Sequence, residues 1–195
     1  MTVTRENAWE LLKEYNEDEG HLRHALAVEA CMRYYASKSG EDEDMWGLAG
    51  LVHDLDWERV SEKDPENHTK LATAVLEERG YPKEVIRAVQ AHGWGICSDV
   101  EPLSEMEKTL YSVDELTGLV MTTALVRPSR SLSDLSVKSV KKKWKDKRFA
   151  AGVDRELIER GAAMMGIELS DLIDGVIQAM RPIEKDLGLG TSSCN

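Results

Sequence analysis

The sequence lacks the paired cysteines of small secreted proteins and the long apolar segments of membrane proteins. Its three cysteines, Cys31, Cys97 and Cys194, are odd in number and far apart, which excludes a disulfide framework and a CxxC zinc motif. No stretch approaches the roughly 20 apolar residues of a membrane span, and the first residues lack the apolar segment of a signal peptide. We therefore expect a soluble, cytoplasmic protein with no membrane partner, and 195 residues are enough for a hydrophobic core.

Positive charge is also scarce, because the net charge at pH 7 is -11. A chain with this much net negative charge is poorly suited to binding nucleic acid, so we expect its substrate to be a small molecule and not a polymer. The exception is the basic segment, residues 127–148, which has nine Lys and Arg against two acidic residues. It is either the solvated face of a helix or a surface that attracts phosphate, with Arg127, Arg130 and Lys141 binding a small anionic phosphorylated substrate.

Helical periodicity runs through most of the chain. Apolar residues recur at spacings of three and four, as in Val85, Ile86 and Val89, while period-two alternation is absent. Ser104 and Glu107 have the spacing of a capping box. These patterns predict an all-α protein, with helices over residues 5–16, 21–38, 43–55, 67–79, 83–92, 104–126, 136–148, 154–165 and 170–187.

A Ser-rich stretch that begins at Arg127 follows a long predicted helix and is the best candidate for a seam. We expect residues 1–126 to form a helical core that carries the functional site. Residues 127–195, the basic segment and the last helices, are predicted to pack on that core within one structural domain. The sequence leaves the oligomeric state open, and a homodimer is one of the options.

The pair His53-Asp54 follows the apolar run 46–52, at the end of a helix that ought to be buried. A buried carboxylate is costly unless a cation compensates its charge, and imidazole with carboxylate suits transition metals. Because neighbouring residues on a helix point about 100° apart, other helices must supply more ligands. His24 and Asp114 are candidates, since each interrupts an apolar helix face. The alternative is a structural reading, with histidines that satisfy backbone carbonyls and an Asp that reaches solvent.

The order His24, His53-Asp54, Asp114, in the segments HALAVEACMRYYA, WGLAGLVHDLDWE and MEKTLYSVDELTG, resembles the HD superfamily of metal-dependent phosphohydrolases. The resemblance covers roughly residues 20–126 and implies an HD-domain helical bundle with a small C-terminal helical extension. One departure is that Leu55 and the residues after it replace the Gly-Lys of the HDIG subgroup. The subgroup therefore does not assign a substrate.

Two further histidines refine the resemblance. His68 in HTKLATAVLEERGYP and His92 in EVIRAVQAHG are similar to the extra histidines of HD proteins with a binuclear centre. The resemblance implies two divalent transition-metal ions, of iron, manganese, zinc, cobalt or nickel, bridged by Asp54. The remaining ligands would divide into His24, His53 and Asp114 for one ion, and His68 and His92 for the other. Without metal, His68 would be a polar residue of a first helical turn and His92 a partner of a helix dipole.

The same resemblance implies a hydrolase that cleaves a phosphoric ester or anhydride in a small nucleotide-like metabolite. A hydroxide activated by the metals would attack phosphorus, with Asp54 as the catalytic residue that orients it. Asp56, Arg59 or a metal-bound water would protonate the leaving group. Two other functions stay open: a mixed-valence di-iron oxygenase, which similar HD-fold proteins represent, and a nucleotide-binding sensor module without turnover.

Overall fold

A computed structural model of the chain describes residues 3–60 and 65–190, and within these ranges the protein is all-α, as predicted. The helices are α1 (Arg5–Tyr15), α2 (Glu19–Ser39), α3 (Glu43–Val52), α4 (Lys70–Glu78), α5 (Lys83–His92), α6 (Glu105–Leu125), α7 (Val137–Trp144), α8 (Arg155–Met165) and α9 (Leu169–Met180). No β-strand occurs in the part of the chain that the structure describes, apart from one isolated bridge between Trp94 and Ser98. None of the described helices combines the length and hydropathy that crossing a bilayer demands.

Short polar side chains begin the helices. Asp18, Asp42 and Asp154 each accept backbone N–H groups from the first turn of α2, α3 and α8, and these groups have no partner within the helix. The predicted capping box is confirmed, because Ser104 accepts the N–H of Glu107 while the Glu107 carboxylate accepts the N–H of Ser104.

Four predicted helix ends were wrong, and two of them concern the metal-ligand candidates. The helix expected over 43–55 ends at Val52, because the backbone then tightens into bonds three residues apart, with Leu55 N–H to Val52 C=O and Trp57 N–H to Asp54 C=O. The helix expected from residue 67 begins at Lys70, since Thr69 has a left-handed φ of 71°. His53-Asp54 and His68 therefore lie in turns.

The other two ends lie in the C-terminal part. The helix expected over 136–148 ends at Trp144, whose carbonyl accepts a hydrogen bond from the guanidinium of Arg155. The helix expected to continue to 187 ends at Met180, because Pro182 has no N–H to donate and a 3₁₀ turn follows over Arg181–Ile183.

The two long helices α2 and α6 cross at the centre of the molecule. α3 packs on α2, α5 packs on α6 and α3, and α8 and α9 cover the other side of α6 and α2. Their facing sides are closely packed, with Val28, Leu51, Val89, Leu110 and Ile177 among the buried residues. The helices α2, α5 and α6, which carry His24, His92 and Asp114, therefore meet in the core together with the turn that follows α3.

The segment after α6, where a seam was predicted, is held by the end of the chain. Leu132 and Leu135 are buried, and Arg181 donates to the carbonyls of both. Glu184 accepts the N–H of Leu132 and the hydroxyl of Ser131. A boundary at residue 126 stays a prediction. Cys194 lies outside the described residues.

Candidate metal centre

The first group of metal-ligand candidates, His24, His53 and Asp114, comes from three elements of the core. His24 lies in α2, His53 directly follows α3, and Asp114 lies in α6. The Nε2 atom of His24 is 2.9 Å from Oδ1 of Asp114 and 3.2 Å from Nε2 of His53. His53 is fully buried, whereas His24 and Asp114 are partly exposed.

The second group, Asp54, His68 and His92, lies beside the first. Oδ1 of Asp54 is 3.2 Å from Nε2 of His68 and 3.4 Å from Nε2 of His92, the last residue of α5. Oδ2 of Asp54 faces the first group instead, 3.4 Å from Nε2 of His53. The Asp54 carboxylate thus stands between the two groups. All six residues predicted as ligands are brought together, although their role as ligands stays a prediction.

Backbone carbonyls orient two of the four imidazole rings. Nδ1 of His53 lies 2.8 Å from the carbonyl oxygen of Gly50, and Nδ1 of His92 lies 2.6 Å from that of Val89. Since a carbonyl only accepts, Nδ1 carries the proton in both rings. Their Nε2 atoms, which point into the site, are therefore free to offer a lone pair in the neutral ring.

Side chains orient the other two rings in the same sense. Nδ1 of His68 donates to a carboxylate oxygen of Asp56 at 2.7 Å. Nδ1 of His24 lies 3.2 Å from the hydroxyl oxygen of Thr117, and that hydroxyl donates its own proton to the carbonyl of Asp114. The Thr117 oxygen must then accept from His24, which leaves Nε2 of His24 as the inward-facing lone pair.

This arrangement fits metal ions better than it fits hydrogen bonds. The Nε2 atoms of His68 and His92 are only 3.1 Å apart, and two lone pairs at that distance repel unless a cation or a proton lies between them. Two donors bound to one ion at about 2.0–2.2 Å are expected about 3–4 Å apart, as they are here. In each group the three donor atoms lie within 4.8 Å of one another, so each can hold a metal ion.

Negative charge dominates the site. Burial opposes ionisation of Asp54 and Asp114, but the ring of His53 and hydrogen bonds from the other rings keep both pKa values well below the usual range. Burial likewise opposes a charge on His68, yet Asp54 and Asp56 outweigh it and raise the pKa of that ring to about 9. The carboxylates of Asp54 and Asp114 therefore favour positive charge in the site, and a divalent cation supplies twice the charge of a proton.

The two side chains suggested by the sequence for leaving-group protonation are engaged elsewhere. Asp56 is fully buried, with one carboxylate oxygen on His68 and the other accepting the N–H of Ala72. Arg59 donates to the carbonyls of Glu14 and Tyr15. Asp56 is instead the residue that fixes His68, a function that no sequence pattern indicated because it depends on the turn after α3.

A cavity of about 430 Å³ opens onto the two groups and gives a substrate access to them. Glu115, which the sequence analysis missed, lines this cavity next to Asp114. Burial, and to a lesser degree the charge of Asp114, raises the pKa of Glu115 to about 7. In the sequence, Glu115 could have been found only from its position directly after the ligand candidate Asp114.

The predicted substrate-binding residues Arg127, Arg130 and Lys141 do not line this cavity. The guanidinium of Arg127 pairs with the Asp134 carboxylate at 2.6 Å, which neutralises its charge locally. The part of the chain after the basic segment reaches the cavity through Gly152 and Val153. A substrate-binding role for the three basic residues stays a prediction.

Comparison with known families agrees with this geometry. The family model of the HD domain matches residues 22–117, a span that contains all six residues of the two groups. This part of the chain is an HD domain. Members of the HD superfamily are generally metal-dependent hydrolases of the phosphohydrolase type, and a helical HD domain with clustered His and Asp is what the structure contains. No solved structure matches the chain.

Proposed function

We propose that this HD protein is a two-metal phosphohydrolase that acts on a small phosphorylated metabolite. The observation that carries the proposal is the position of Asp54, whose two oxygens face two separate groups of inward-pointing donors. A carboxylate shared in this way is what a bridging ligand requires. The acidic character of the chain also supports a small substrate over a nucleic acid polymer.

The six ligand candidates would have different roles in this reaction. Two divalent transition-metal cations, of iron, manganese, zinc, cobalt or nickel, would polarise phosphoryl oxygens and make water nucleophilic at neutral pH. His24, His53 and Asp114 would hold one of them and His68 and His92 the other, and Asp54, whose two oxygens face the two groups, would be shared by both. Burial of His53, His68 and His92 restricts the motion of their rings, and the cavity opens onto both groups.

Glu115 is our candidate for the proton donor to the leaving group. Among the described residues that line the cavity, it is the one carboxyl group that belongs to neither metal-ligand group. Neither Asp56 nor Arg59 lines the cavity, and both are occupied by other partners. Glu115→Gln should therefore lower kcat while leaving the metal content unchanged.

The decisive experiment is elemental analysis of the purified protein combined with hydrolysis of a panel of phosphate esters. We expect about two metal ions per chain in the wild type and about one in His68→Ala and His92→Ala. His21→Ala is the matched control, because His21 lines the same cavity but pairs with Glu58 and belongs to neither group. Its metal content should stay near that of the wild type.

Three outcomes would overturn the proposal. A single ion that is unaffected by the two substitutions would indicate a mononuclear hydrolase. Oxygen consumption by the iron-loaded protein, absent with manganese and without phosphate release, would indicate the di-iron oxygenase. Nucleotide-dependent thermal stabilisation without any product would indicate the sensor module.

A further inference from the structure

The cavity wall outside the two metal-ligand groups carries little positive charge. Among the residues that the structure describes, no Lys or Arg lines it, and the ring of His21, which does, is paired with Glu58. The formal charge on this wall is the carboxyl group of Glu115. Metal ions held by the two ligand groups would therefore supply the positive charge that binds an anionic substrate.

The mouth of the cavity is apolar. Trp57 and Ile96 line it with 49% and 64% of their surfaces exposed, although large hydrophobic side chains are usually buried. The Trp57 ring packs edge-on against the ring of His68, with the ring centroids 5.1 Å apart, so it stands directly beside the second group. Val153 and Leu157 contribute further apolar surface to the wall.

The wall next to Asp114 leaves space for a bulky group. Gly118 lies one helical turn after Asp114 and lines the cavity, and a Cβ atom added there would meet no other atom within 4 Å. The cavity is therefore open at this point of its wall. A planar group bound against Trp57 has room on this side.

We infer that the substrate is a phosphate monoester with one phosphate and a flat, apolar or aromatic organic part, a refinement that rests on the proposed function. The single phosphate would lie at the metal-ligand groups and the organic part against Trp57 and Ile96. A second phosphate would instead lie among apolar side chains and Glu115, where no described Lys or Arg compensates its charge. In the reaction, an oxygen of water bonds to phosphorus, the ester P–O bond breaks, and the alcohol oxygen leaves with a proton.

The test compares three probes that share one sugar, using the metal-loaded protein: a nucleoside 5′-monophosphate, its 5′-diphosphate and ribose 5-phosphate. We expect kcat/KM for the monophosphate to exceed that for ribose 5-phosphate by about tenfold, the ordinary size of a stacking contribution. It should also exceed the value for the diphosphate by at least about tenfold, since an uncompensated charge is costly to bury. Trp57→Ala should remove most of the advantage over ribose 5-phosphate.

A matched pair of variants tests the role of charge. Ile96→Lys places a cation at the mouth of the cavity and should raise the relative kcat/KM for the diphosphate about threefold or more, as an added phosphate contact would. Leu103→Lys is the control, because Leu103 is 63% exposed and lies outside the cavity, and it should leave the ratio unchanged.

The outcomes separate this inference from the proposed function. If a protein with two ions per chain hydrolyses none of the phosphate esters, the proposed function fails and the inference fails with it. If the wild type hydrolyses the diphosphate as well as or better than the monophosphate, only the inference fails. Equal effects of Ile96→Lys and Leu103→Lys would also contradict it.

Discussion

The two groups of metal-ligand candidates are built differently, although they lie side by side. In the first group, His24 and Asp114 project from the long helices α2 and α6, which pack on each other at the centre of the molecule. In the second group, Asp54 and His68 both lie in turns, and His68 is oriented by one carboxylate, that of Asp56. Long helices thus carry two of the three residues of the first group, whereas two of the three residues of the second group lie in turns. We therefore expect the second group to lose its metal first when the structure is perturbed.

The largest effect is expected for Asp54, because its carboxylate faces both groups and cannot be assigned to one of them alone. Asp54→Ala removes a carboxylate that faces both groups, so both ions should be lost on dialysis. Activity should fall below about one-thousandth of the wild-type value, which corresponds to about 4 kcal/mol in the barrier. Elemental analysis and phosphate release measure the two effects, and an active variant with two ions per chain would refute the bridging role.

A pair of conservative variants tests the asymmetry directly. Asp56→Asn disturbs the partner of His68 and puts an amide where Ala72 N–H needs an acceptor, so metal affinity at the second group should fall about 10- to 100-fold. Thr117→Val removes the partner of His24, but the packing of α2 still holds that ring. Competition with a chelator measures both affinities. Equal losses in the two variants would contradict the asymmetry.

Arg155→Ala should change the cavity without changing either group. Its guanidinium donates to five backbone carbonyls between residues 144 and 153, and Gly152 and Val153 of this stretch line the cavity. We expect KM to rise about tenfold, the equivalent of about 1.4 kcal/mol of uniform binding, with two ions retained. Arg181→Ala is the matched control, because Arg181 also donates to carbonyls, of Leu132 and Leu135, but far from the cavity lining. Loss of metal in Arg155→Ala would contradict this separation.

The smallest effect concerns Glu58, which connects the turn after Asp54 to the start of α2. Partial burial opposes its ionisation, but the N–H groups of Glu17 and Asp18 and the ring of His21 lower its pKa from 4.5 to about 2. Because the folded state has the lower pKa, Glu58 stabilises the fold above about pH 4.5, and this contribution is lost as the pH falls towards 2. Glu58→Gln should lower the free energy of unfolding by about 1 kcal/mol at pH 7, as other helix-cap losses do.

Urea denaturation from pH 3 to 7 measures this difference. The gap between wild type and Glu58→Gln should narrow as the pH falls, because below about pH 4.5 Glu58 takes up a proton in the unfolded chain while it stays ionised in the folded protein. A gap that stays constant with pH, or that widens in acid, would show that the carboxylate charge does not stabilise the fold.

The residues that the sequence revealed share one property. His53-Asp54 stands out because it ends an apolar run, and Asp114 because it interrupts an apolar helix face, so a polar residue in a buried place was the signal. Asp56 and Thr117 could not be found in this way. Their importance lies in hydrogen bonds to rings 12 and 93 residues away in the sequence, and periodicity carries no information about such contacts.

The ends of several helices were also predicted wrongly, because most of them depend on contacts that are not visible in the local sequence. Val52, Trp144 and Met180 end their helices because of a tightened turn, a guanidinium from another helix and a proline, and only the proline is visible locally. The basic segment shows the same limit. Its composition suggested contact with substrate, but Arg127 pairs with Asp134 and lies outside the cavity lining.

The turn that follows α3 also determines how this protein can vary. Within four consecutive residues, His53 belongs to the first group, Asp54 faces both, and Asp56 orients the second. The separation of the two metal positions therefore depends on the length of this short stretch of backbone. An inserted or deleted residue here would rotate one group away from the other. We expect related chains to keep the length of this stretch, and to vary in length in loops that do not line the cavity, such as the one between α2 and α3.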